Sequence, residues 1–260
     1  MTLLKLNPTS SGTRHQFKLK KNLLCKNNRL IKNLLIGTKK WAGRTTTTGR
    51  ITIRHQGAGC KKLYRLIQFN NNHFFALVLG IMYDPNRSVF ISLNYNLITK
   101  TFFQTSAIIN VNPGSLIICK ESIDEFRLGY RLKLKSIPVG SLINSISLNY
   151  NSKIKYIKSA GTYGKLIQKS KLNCKIKLPS GQFLTLLSVS YATIGILTNT
   201  NHNKIIIGKA GINRLKGIRP SVRGIAMNPV DHPHGGRTNG GCQSMTPWGK
   251  PSRGKPTKKK

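Results

Sequence analysis

Residues 74–95 have the sequence FFALVLGIMYDPNRSVFISLNY, in which two apolar runs flank a short polar turn. The run from Phe74 to Met82 is far shorter than the roughly 20 residues of a membrane span, and it fits a buried β-strand. Asp84, Pro85 and Asn86 are typical turn residues, because Pro fixes φ and an Asp side chain accepts hydrogen bonds from nearby backbone. The stretch therefore predicts two strands joined by a turn, with Asp84 forming the turn rather than binding a ligand.

Similar runs recur on both sides of this stretch and fall into two sets, separated by Gly, Pro and Asn turns. The first set also contains ITIRHQ (51–56), LYRLIQF (63–69), LITKTFF (97–103) and SLIIC (115–119). The second contains RLKLKSI (131–137), LINSISLNY (142–150), IKYIKSA (154–160), KLIQ (165–168), CKIKLP (174–179), QFLTLLSV (182–189) and YATIGILT (191–198), and strand character ends with NKIIIG (203–208). Short strands at this spacing predict an all-β protein of small barrels. Alternating Lys residues in the second set predict half-buried strands with a basic outer face.

Residues 217–241, GIRPSVRGIAMNPVDHPHGGRTNGG, are rich in Gly and Pro and lack an apolar repeat. They predict neither a helix nor a packed strand, because Pro removes backbone donors and Gly permits unusual conformations. Arg219, Arg223 and Arg237 accompany a single acid, Asp231. We therefore expect this segment to take its shape from a polyanionic partner, with guanidinium groups contacting phosphates.

The composition supports the same partner, because 44 Lys and Arg residues stand against 5 acids and give a net charge of +39. A free chain with so much unneutralised charge repels itself, and a nucleic acid supplies the counter-charge. A membrane surface is the weaker alternative, since membrane binders concentrate their cations in one helix or run. The hydrophobic content of 38% still predicts folded cores.

Several other classes of protein lack support in the sequence. The five cysteines are far apart and form no CxxC pair, so they indicate reduced thiols rather than a disulfide framework or a zinc site. Lys5 and Pro8 interrupt the first apolar residues, so no secretory signal is evident. Phosphate-binding loops of the GxGxxG and GxxxxGK[ST] types are missing, which removes support for nucleotide hydrolysis.

Asp231, His232 and His234 form the one cluster whose residue types suit acid–base or metal chemistry. Both histidines share a face if the segment is extended, but a third ligand is not visible nearby. A histidine-dependent nuclease is therefore the enzyme alternative to a role in which these side chains bind RNA or fix the loop's backbone. The other acids are Asp84, Glu121, Asp124 and Glu125. Carboxylate pairs for two-metal chemistry are thus nearly absent.

The segment from Arg54 to Arg65 interleaves cations with glycines and one aromatic residue, Tyr64. A barrel rim with this composition suits irregular RNA, although Tyr64 also fits a core position. Trp41 is too isolated to found a core, and we expect it to contact RNA or another protein.

Motifs in this chain resemble those of universal large-ribosomal-subunit protein two, an rRNA-binding family, and follow that family's order. They are PTSSGTRH (8–15), GRITIRHQGAG (49–59), YDPNRS (83–88), IPVGS (137–141), SAGTYG (159–164), GKAG (208–211) and RGIAMNPVDHPHGG (223–236). The last motif is the most specific. On these motifs the chain is identified as a member of the family.

The resemblance implies an OB-like barrel followed by an SH3-like barrel. The predicted segments are a basic N-terminal extension (1–50), the OB-like barrel (51–127), the SH3-like barrel (128–200) and an extended Gly/Pro/basic tail (201–260). The tail is expected to enter large-subunit rRNA near the subunit interface and the peptidyl-transferase region, supporting assembly and association with the small subunit. The implied partners are rRNA, neighbouring ribosomal proteins and the small subunit, with no membrane and no small-molecule substrate. A general nucleoid-type DNA-binding protein is the alternative function.

We expect no catalytic residue, no metal ligand and no cofactor, apart from structural Mg²⁺ that rRNA itself would hold. The predicted RNA-contacting residues before the tail are Arg14, His15, Arg44, Arg50, Arg54, His55, Lys61, Lys62, Tyr64, Arg65, Arg87 and Tyr163. Those in the tail are Lys209, Arg214, Arg219, Arg223, Asn228, Asp231, His232, His234, Gly235, Gly236, Arg237 and Trp248. Gly235 and Gly236 are expected to lie against nucleotides, where a Cβ would intrude.

The chain departs from the family pattern at two places. The segment from Arg237 to Gly241 stands where the family usually has a third glycine and GEGR, and Leu215 stands where a Trp usually follows GKAG.

The cellular location is predicted from two weaker signals. The PTSSGTRH motif begins at Pro8, which leaves no room for a cleaved presequence, and frequent Asn, Lys and Ile indicate an A+T-rich genome. We expect an organelle-encoded protein of the mitochondrial ribosome in the matrix, with a plastid or a bacterial cytoplasm as alternatives.

Overall fold

The computed structural model describes residues 3–21, 24–25, 30–38, 42–69, 71, 73–123, 125–150, 152–237 and 241–254. Trp41, Asp124 and residues 238–240 of the altered loop lie outside the described residues. The expectations for them therefore stay predictions.

The described residues form short strands and a few helical turns. The strands are β1 (Leu3–Lys5), β2 (Phe17–Leu19), β3 (Leu35–Gly37), β4 (Leu63–Arg65), β5 (Phe74–Met82), β6 (Ile91–Asn96), β7 (Phe102–Ser106), β8 (Leu116–Cys119), β9 (Arg131–Lys133), β10 (Leu142–Asn144), β11 (Ile146–Ser147), β12 (Ile154–Tyr156), β13 (Gly164–Lys169), β14 (Asn173–Lys177), β15 (Phe183–Leu187) and β16 (Tyr191–Ile194). The α-helices are α1 (Ser11–Arg14) and α2 (Ala210–Lys216). Single 3₁₀ turns occupy Lys32–Leu34, Thr200–Lys204 and Gly224–Ala226.

The first barrel is organised around β5, which pairs antiparallel with β6 on one side and with β8 on the other. β6 pairs in turn with β7. Alternate side chains of β5 are buried, among them Phe74, Ala76 and Val78, and they pack in one cluster with Cys119 of β8. A register shift between Val78 and Gly80 interrupts the ladder, as bulges in curved sheets do. The strand–turn–strand prediction for residues 74–95 is confirmed.

The second barrel is built from β9, β10 and β13 to β16, which pair in the order β15-β14-β13-β10-β16-β9. β14 shows the expected alternation, because Cys174 and Ile176 are buried whereas Lys175 and Lys177 are exposed. A parallel pairing of Cys119 with Arg131 joins β8 to β9. The all-β fold, an OB-like barrel followed by an SH3-like barrel, is confirmed.

The N-terminal segment contains strands that the sequence did not predict. β1 pairs antiparallel with β2, and β3 pairs with β4 of the first barrel region. The N–H of Phe17 also donates to the carbonyl oxygen of Ile206 at 3.1 Å. Three-residue strands contain too little alternation to be recognised locally, and pairing with neighbouring chain stabilises them.

Two strand predictions are wrong. ITIRHQ (51–56) forms only isolated pairings of Arg44 with Ile51 and of Gln56 with Ile218, and NKIIIG (203–208) begins in a 3₁₀ turn and contains no strand. Both runs are rich in isoleucine, but β-propensity depends on a neighbouring strand and a covering surface. The side chain of Ile51 is 58% exposed, so no such surface covers it.

Two compact units can be distinguished, residues 1–39 with 61–210, and residues 40–60 with 211–260. The first unit contains both barrels and the clusters of buried apolar side chains. The second is called the tail unit below. The four segment boundaries predicted from the sequence stay predictions. Throughout the described part of the chain, no helix is both long and apolar enough to cross a membrane.

Candidate nucleic-acid interface

The tail unit combines a large positive charge with almost no buried apolar surface. Its sequence contains fifteen Lys and Arg residues and a single acid, Asp231. Gly43 and His232 are its only buried members among the residues that the structure describes, and Val230 is 90% exposed. Hydrophobic burial, the main stabilising term of ordinary domains, is therefore nearly missing, while like charges repel. Both properties favour a unit that is stabilised by a polyanion.

Glycines allow two distant segments of the tail unit to pair closely. The N–H of Gly57 donates to the carbonyl oxygen of Gly217 at 2.7 Å. Gly59 has φ +63, and a Cβ on it would lie 2.6 Å from the carbonyl oxygen of Leu215. The sequence pattern favours RNA contact at these glycines, and the structure shows that they also lie against backbone of their own chain.

A tight loop presents two of the predicted RNA-contacting arginines. The N–H of Thr45 donates to the carbonyl oxygen of Arg50 at 3.0 Å, and the Arg44 guanidinium donates to the carbonyl oxygen of Gly49 at 2.8 Å. Both arginine side chains remain exposed. The loop is therefore held by its backbone, which leaves guanidinium donors available to a ligand.

The loop of the DHPHGG motif folds on itself around His232. Its ring packs against Gly224, where a Cβ would lie 2.5 Å from the ring. The N–H of Gly235 donates to the carbonyl oxygen of His232 at 2.8 Å, and a Cβ on Gly235 would collide with the carbonyl oxygen of Asn228. Backbone contacts within the segment define part of this turn, and the expectation that a polyanionic partner shapes the whole segment stays a prediction.

Both histidines of this motif hold backbone amides. The N–H of His234 donates to Nδ1 of His232 at 3.0 Å, so that nitrogen carries a lone pair. Nε2 of His234 lies 3.0 Å from the N–H of Met245 and 2.8 Å from the carbonyl oxygen of Gln243. Within the described ranges, no group of three or more His, Cys, Asp or Glu side chains is placed to hold a metal ion. The geometry thus matches the hypothesis that the histidines fix the loop.

A cleft of about 410 Å³ opens in the tail unit and is lined by both arginines and apolar side chains. Its cationic lining consists of Arg44, Arg54 and Arg219, with His55 and Asp231 beside them. The rest of the lining consists of Ala42, Ile51, Ile53, Gln56, Pro220, Val222 and Met227. Guanidinium groups beside an apolar surface suit an unstacked nucleotide, because the phosphate and the base are contacted together.

Trp248 and Arg54 lie close together in the same unit. The Arg54 guanidinium carbon is 5.6 Å from the centre of the Trp248 ring, a cation–π distance. The Trp248 side chain is 70% exposed, so part of the ring remains accessible for stacking.

Two residues of the predicted barrel rim, Tyr64 and Arg65, are engaged in contacts around Asp84. Asp84 accepts the N–H of Asn86 at 2.9 Å, which confirms its turn-forming role. It also accepts the Arg87 guanidinium at 2.6 Å and lies 3.7 Å from that of Arg65. Arg87 donates a further hydrogen bond to the Tyr64 hydroxyl at 2.7 Å. Tyr64, Arg65 and Arg87 are therefore only half-exposed, and RNA contact by them stays a prediction.

The remaining predicted residues are distributed between the two units. The first unit holds Arg14, His15, Lys61, Lys62, Tyr163 and Lys209. The tail unit holds Arg214, Arg223, Asn228, Gly236 and Arg237. Of these, Lys62 and Gly236 are half-buried and the others are mostly exposed. The structure therefore brings Arg44, Arg54 and Arg219 to one cleft, but it does not bring every predicted residue to one surface.

Sequence reasoning missed the apolar and amide members of the cleft. Gln56, Val222 and Met227 line it beside the arginines. None belongs to a periodic pattern, and Val222 lies in a Pro/Gly-rich stretch, so no local signal distinguishes them from ordinary loop residues.

Comparison with known protein families identifies both halves of the chain. Residues 31–119 match the model described as Ribosomal Proteins L2, RNA binding N-terminal domain, and residues 127–249 match Ribosomal Proteins L2, C-terminal domain. The chain belongs to the ribosomal protein L2 family. Its L2 relatives include the large ribosomal subunit protein uL2m of Reclinomonas americana, with 42% identity over all of this chain and 95% of that protein. Another is the large ribosomal subunit protein uL2 of Ehrlichia canis (strain Jake), with 40% identity over the same shares. The resemblance inferred from the motifs is confirmed.

Proposed function

We propose that this L2-family chain is a structural protein of the large ribosomal subunit and that its tail unit is bound to rRNA. The main support is the composition of the tail unit, which contains fifteen Lys and Arg residues, one acid and exposed apolar side chains. The match to an RNA-binding L2 domain supports the same partner. Family membership favours the ribosomal role over the DNA-binding alternative.

Within this function, we assign phosphate contacts to the cleft arginines and the exposed face of Trp248 to base stacking. Arg54 and Arg219 line the cleft from the two paired segments of the tail unit, and each guanidinium offers a planar set of donors. The hydrogen bonds between these segments fix the spacing of the arginines before RNA arrives. Such preorganisation lowers the ordering cost of binding.

We assign His232 and His234 to loop architecture and give the protein no catalytic role. His232 is buried, and its Nδ1 accepts a backbone N–H, while Nε2 of His234 contacts the backbone of Gln243 and Met245. These contacts tie one nitrogen of each ring to the loop's own backbone, which favours an architectural role over general acid–base chemistry. Cleavage of rRNA or DNA by the purified protein, abolished in His232→Ala, would instead support the nuclease alternative.

We place the protein in the large subunit of a mitochondrial ribosome, with the tail near the subunit interface and the peptidyl-transferase region. The uL2m relative supports the mitochondrial location, and the uL2 relative of Ehrlichia canis keeps the bacterial alternative open. The codon usage of the encoding gene and its genomic location test this assignment directly. Neighbouring ribosomal proteins and the small subunit are the further partners proposed.

The test of the function is sedimentation of the tagged full chain from its source cells. We expect the protein to migrate with large subunits, whereas a pool that is mainly free of ribosomes would contradict the proposal.

A second test measures binding in vitro, where structured rRNA should outcompete duplex DNA at equal salt. The double variant Arg54→Gln/Arg219→Gln should reduce the salt slope of rRNA binding by about two units, roughly one for each phosphate that is no longer neutralised. Arg127→Gln, an exposed arginine of the first unit, is the matched control.

A further inference from the structure

A second basic groove, of about 420 Å³, lies on the SH3-like barrel. Lys165 of β13 and Lys177 of β14 line it together with Tyr163 and the turn that begins at Leu178. Of these residues, only Tyr163 was predicted from the sequence to contact RNA.

Lys165 and Lys177 are opposite partners in the β13–β14 ladder, and both are exposed. Like charges placed directly opposite each other on one face of a sheet destabilise it. The ion pairs formed by described residues involve Asp84, Glu121 and Glu125, and none includes either lysine. An anion between the two ammonium groups would offset their repulsion.

The loop before β13 holds Tyr163 beside these lysines. The N–H of Gly161 donates to the carbonyl oxygen of Thr198 at 3.0 Å, and the Thr162 hydroxyl donates to the carbonyl oxygen of Ser159 at 2.7 Å. Gly161 has φ +67, and a Cβ there would lie 2.8 Å from a backbone atom of the neighbouring chain segment. The loop is thus fixed, while the Tyr163 side chain remains 45% exposed. An exposed ring on a fixed loop is a stacking platform for a base.

A closed turn forms a second part of the groove's lining. The N–H of Gly181 donates to the carbonyl oxygen of Leu178, and the N–H of Leu178 donates to that of Gln182, both at 2.9 Å. Pro179 fixes φ inside this turn, and Gly181 supplies the φ of +86 that it requires. Both walls are therefore formed before a ligand binds.

We propose that this groove binds one unpaired nucleotide of large-subunit rRNA. Its phosphate lies between Lys165 and Lys177, and its base stacks on Tyr163. The inference rests on the proposed rRNA-binding function and adds a subsite on the SH3-like barrel, separate in sequence from the tail unit.

The experiment measures binding of the full-length protein to a complete large-subunit rRNA transcript over a series of salt concentrations. Lys165→Gln/Lys177→Gln should lower the salt slope by slightly less than one unit, roughly 0.7–0.9, because the slope counts phosphates rather than lysines. Lys153→Gln/Lys171→Gln removes two lysines of the same barrel outside the groove and should leave the slope unchanged. Tyr163→Ala should weaken binding about tenfold, whereas Tyr163→Phe keeps the ring and should bind within about twofold of the parent.

Each outcome decides the inference. Equal slopes for the groove and control variants, or equal weakening in Tyr163→Phe and Tyr163→Ala, would overturn it. The groove variants could instead bind rRNA normally and yet yield subunits that lack a neighbouring protein. That result would show that the groove binds an acidic segment of that protein. If the parent chain itself does not prefer rRNA, the proposed function fails and the inference fails with it. Circular dichroism of every variant checks that the barrels remain folded.

Discussion

At the scale of single residues, the structure separates side chains that stabilise the protein from those available to RNA. Asp84 has no exposed side-chain surface and neutralises two arginines that the sequence offered as RNA ligands. Gly235 likewise faces the backbone at Asn228 rather than open space. In both cases the structure shows partners within the same chain, and RNA contact by these residues stays a prediction.

Replacing Asp84 with Asn should destabilise the first barrel by about 3 kcal/mol, because two half-buried guanidinium groups lose their counter-charge. Urea unfolding followed by circular dichroism measures this difference. Glu125→Gln removes a pair whose side chains are 67–68% exposed, and it should cost less than about 1 kcal/mol. Equal effects of the two substitutions would show that Asp84 has no structural role.

Gly235→Ala should open the histidine loop in the free protein, at a cost of about 1–3 kcal/mol, since the new Cβ collides with a backbone carbonyl. Hydrogen exchange at the amide of residue 235 measures the opening. Gly211→Ala is the control, because no atom lies within 4 Å of its Cβ position and Ala favours the helix that contains it. If the loop stays closed in the free variant and only rRNA binding is impaired, the result would support the prediction that Gly235 lies against nucleotides.

At the scale of elements, the tail unit depends on backbone pairing rather than on a core. The isolated pairing of Gln56 with Ile218 is flanked by hydrogen bonds from Gly57 to Gly217 and from Arg219 to His55. These contacts bring the GAG motif to the segment after α2, and they set the separation of the cleft arginines. The pairing therefore couples two segments that are far apart in the sequence.

Gly59→Ala should separate these segments and weaken rRNA binding about tenfold, because its Cβ would lie 2.6 Å from a backbone oxygen. Gly49→Ala is closely matched, since its φ of +64 is nearly the +63 of Gly59 but no atom lies within 4 Å of its Cβ position. Both substitutions therefore introduce similar backbone strain, and the difference between the two variants measures the effect of the Cβ contact alone. Filter binding to rRNA and exchange of the Gly57 amide are the measurements, and similar behaviour of the two variants would contradict the pairing account.

At the scale of the whole molecule, the apolar clusters and the arginine-lined cleft belong to different compact units. Every residue of the buried clusters lies between Ile31 and Ile194, whereas the tail unit exposes Ile218, Val222 and Ile225. The barrels therefore have the apolar burial needed to fold alone, and the tail unit does not.

Removing residues 211–260 should leave both barrels folded, with the two core cysteines protected. Burial raises the pKa of Cys119 to about 11 and also raises the pKa of Cys174, so both thiols stay protonated at pH 8 and reactivity grows only toward higher pH. Cys119 belongs to the first core and Cys174 to the second, and each therefore reports on one barrel. Iodoacetamide should label the exposed Cys25 and Cys60 rapidly and spare the two core thiols in both the full and the shortened chain. Rapid labelling of Cys119 or Cys174 after truncation would show that the tail stabilises that barrel.

Pattern recognition succeeded where the physical cause is local. Period-two alternation located β5 and β14, and Asp-Pro-Asn located the turn at Asp84, because strand faces and turns are encoded by adjacent residues. It failed at Ile51 and Ile53, whose isoleucines have no covering partner, and at the three-residue strands β1 to β3. Recognition of the cleft required knowledge of which distant segments pair, and no local pattern contains that information.

The sequence by itself determined the class of partner, the all-β fold and the L2 family, because net charge, alternation and motif order are properties of the chain alone. The tertiary structure decided which cations are neutralised and which face solvent. It also decided that Gly59 and Gly235 lie against backbone of their own chain. Gly59 approaches a segment more than 100 residues away, and Gly235 approaches Asn228 within a folded loop. Sequence thus specifies which chemistry is present, and the fold specifies where it is accessible.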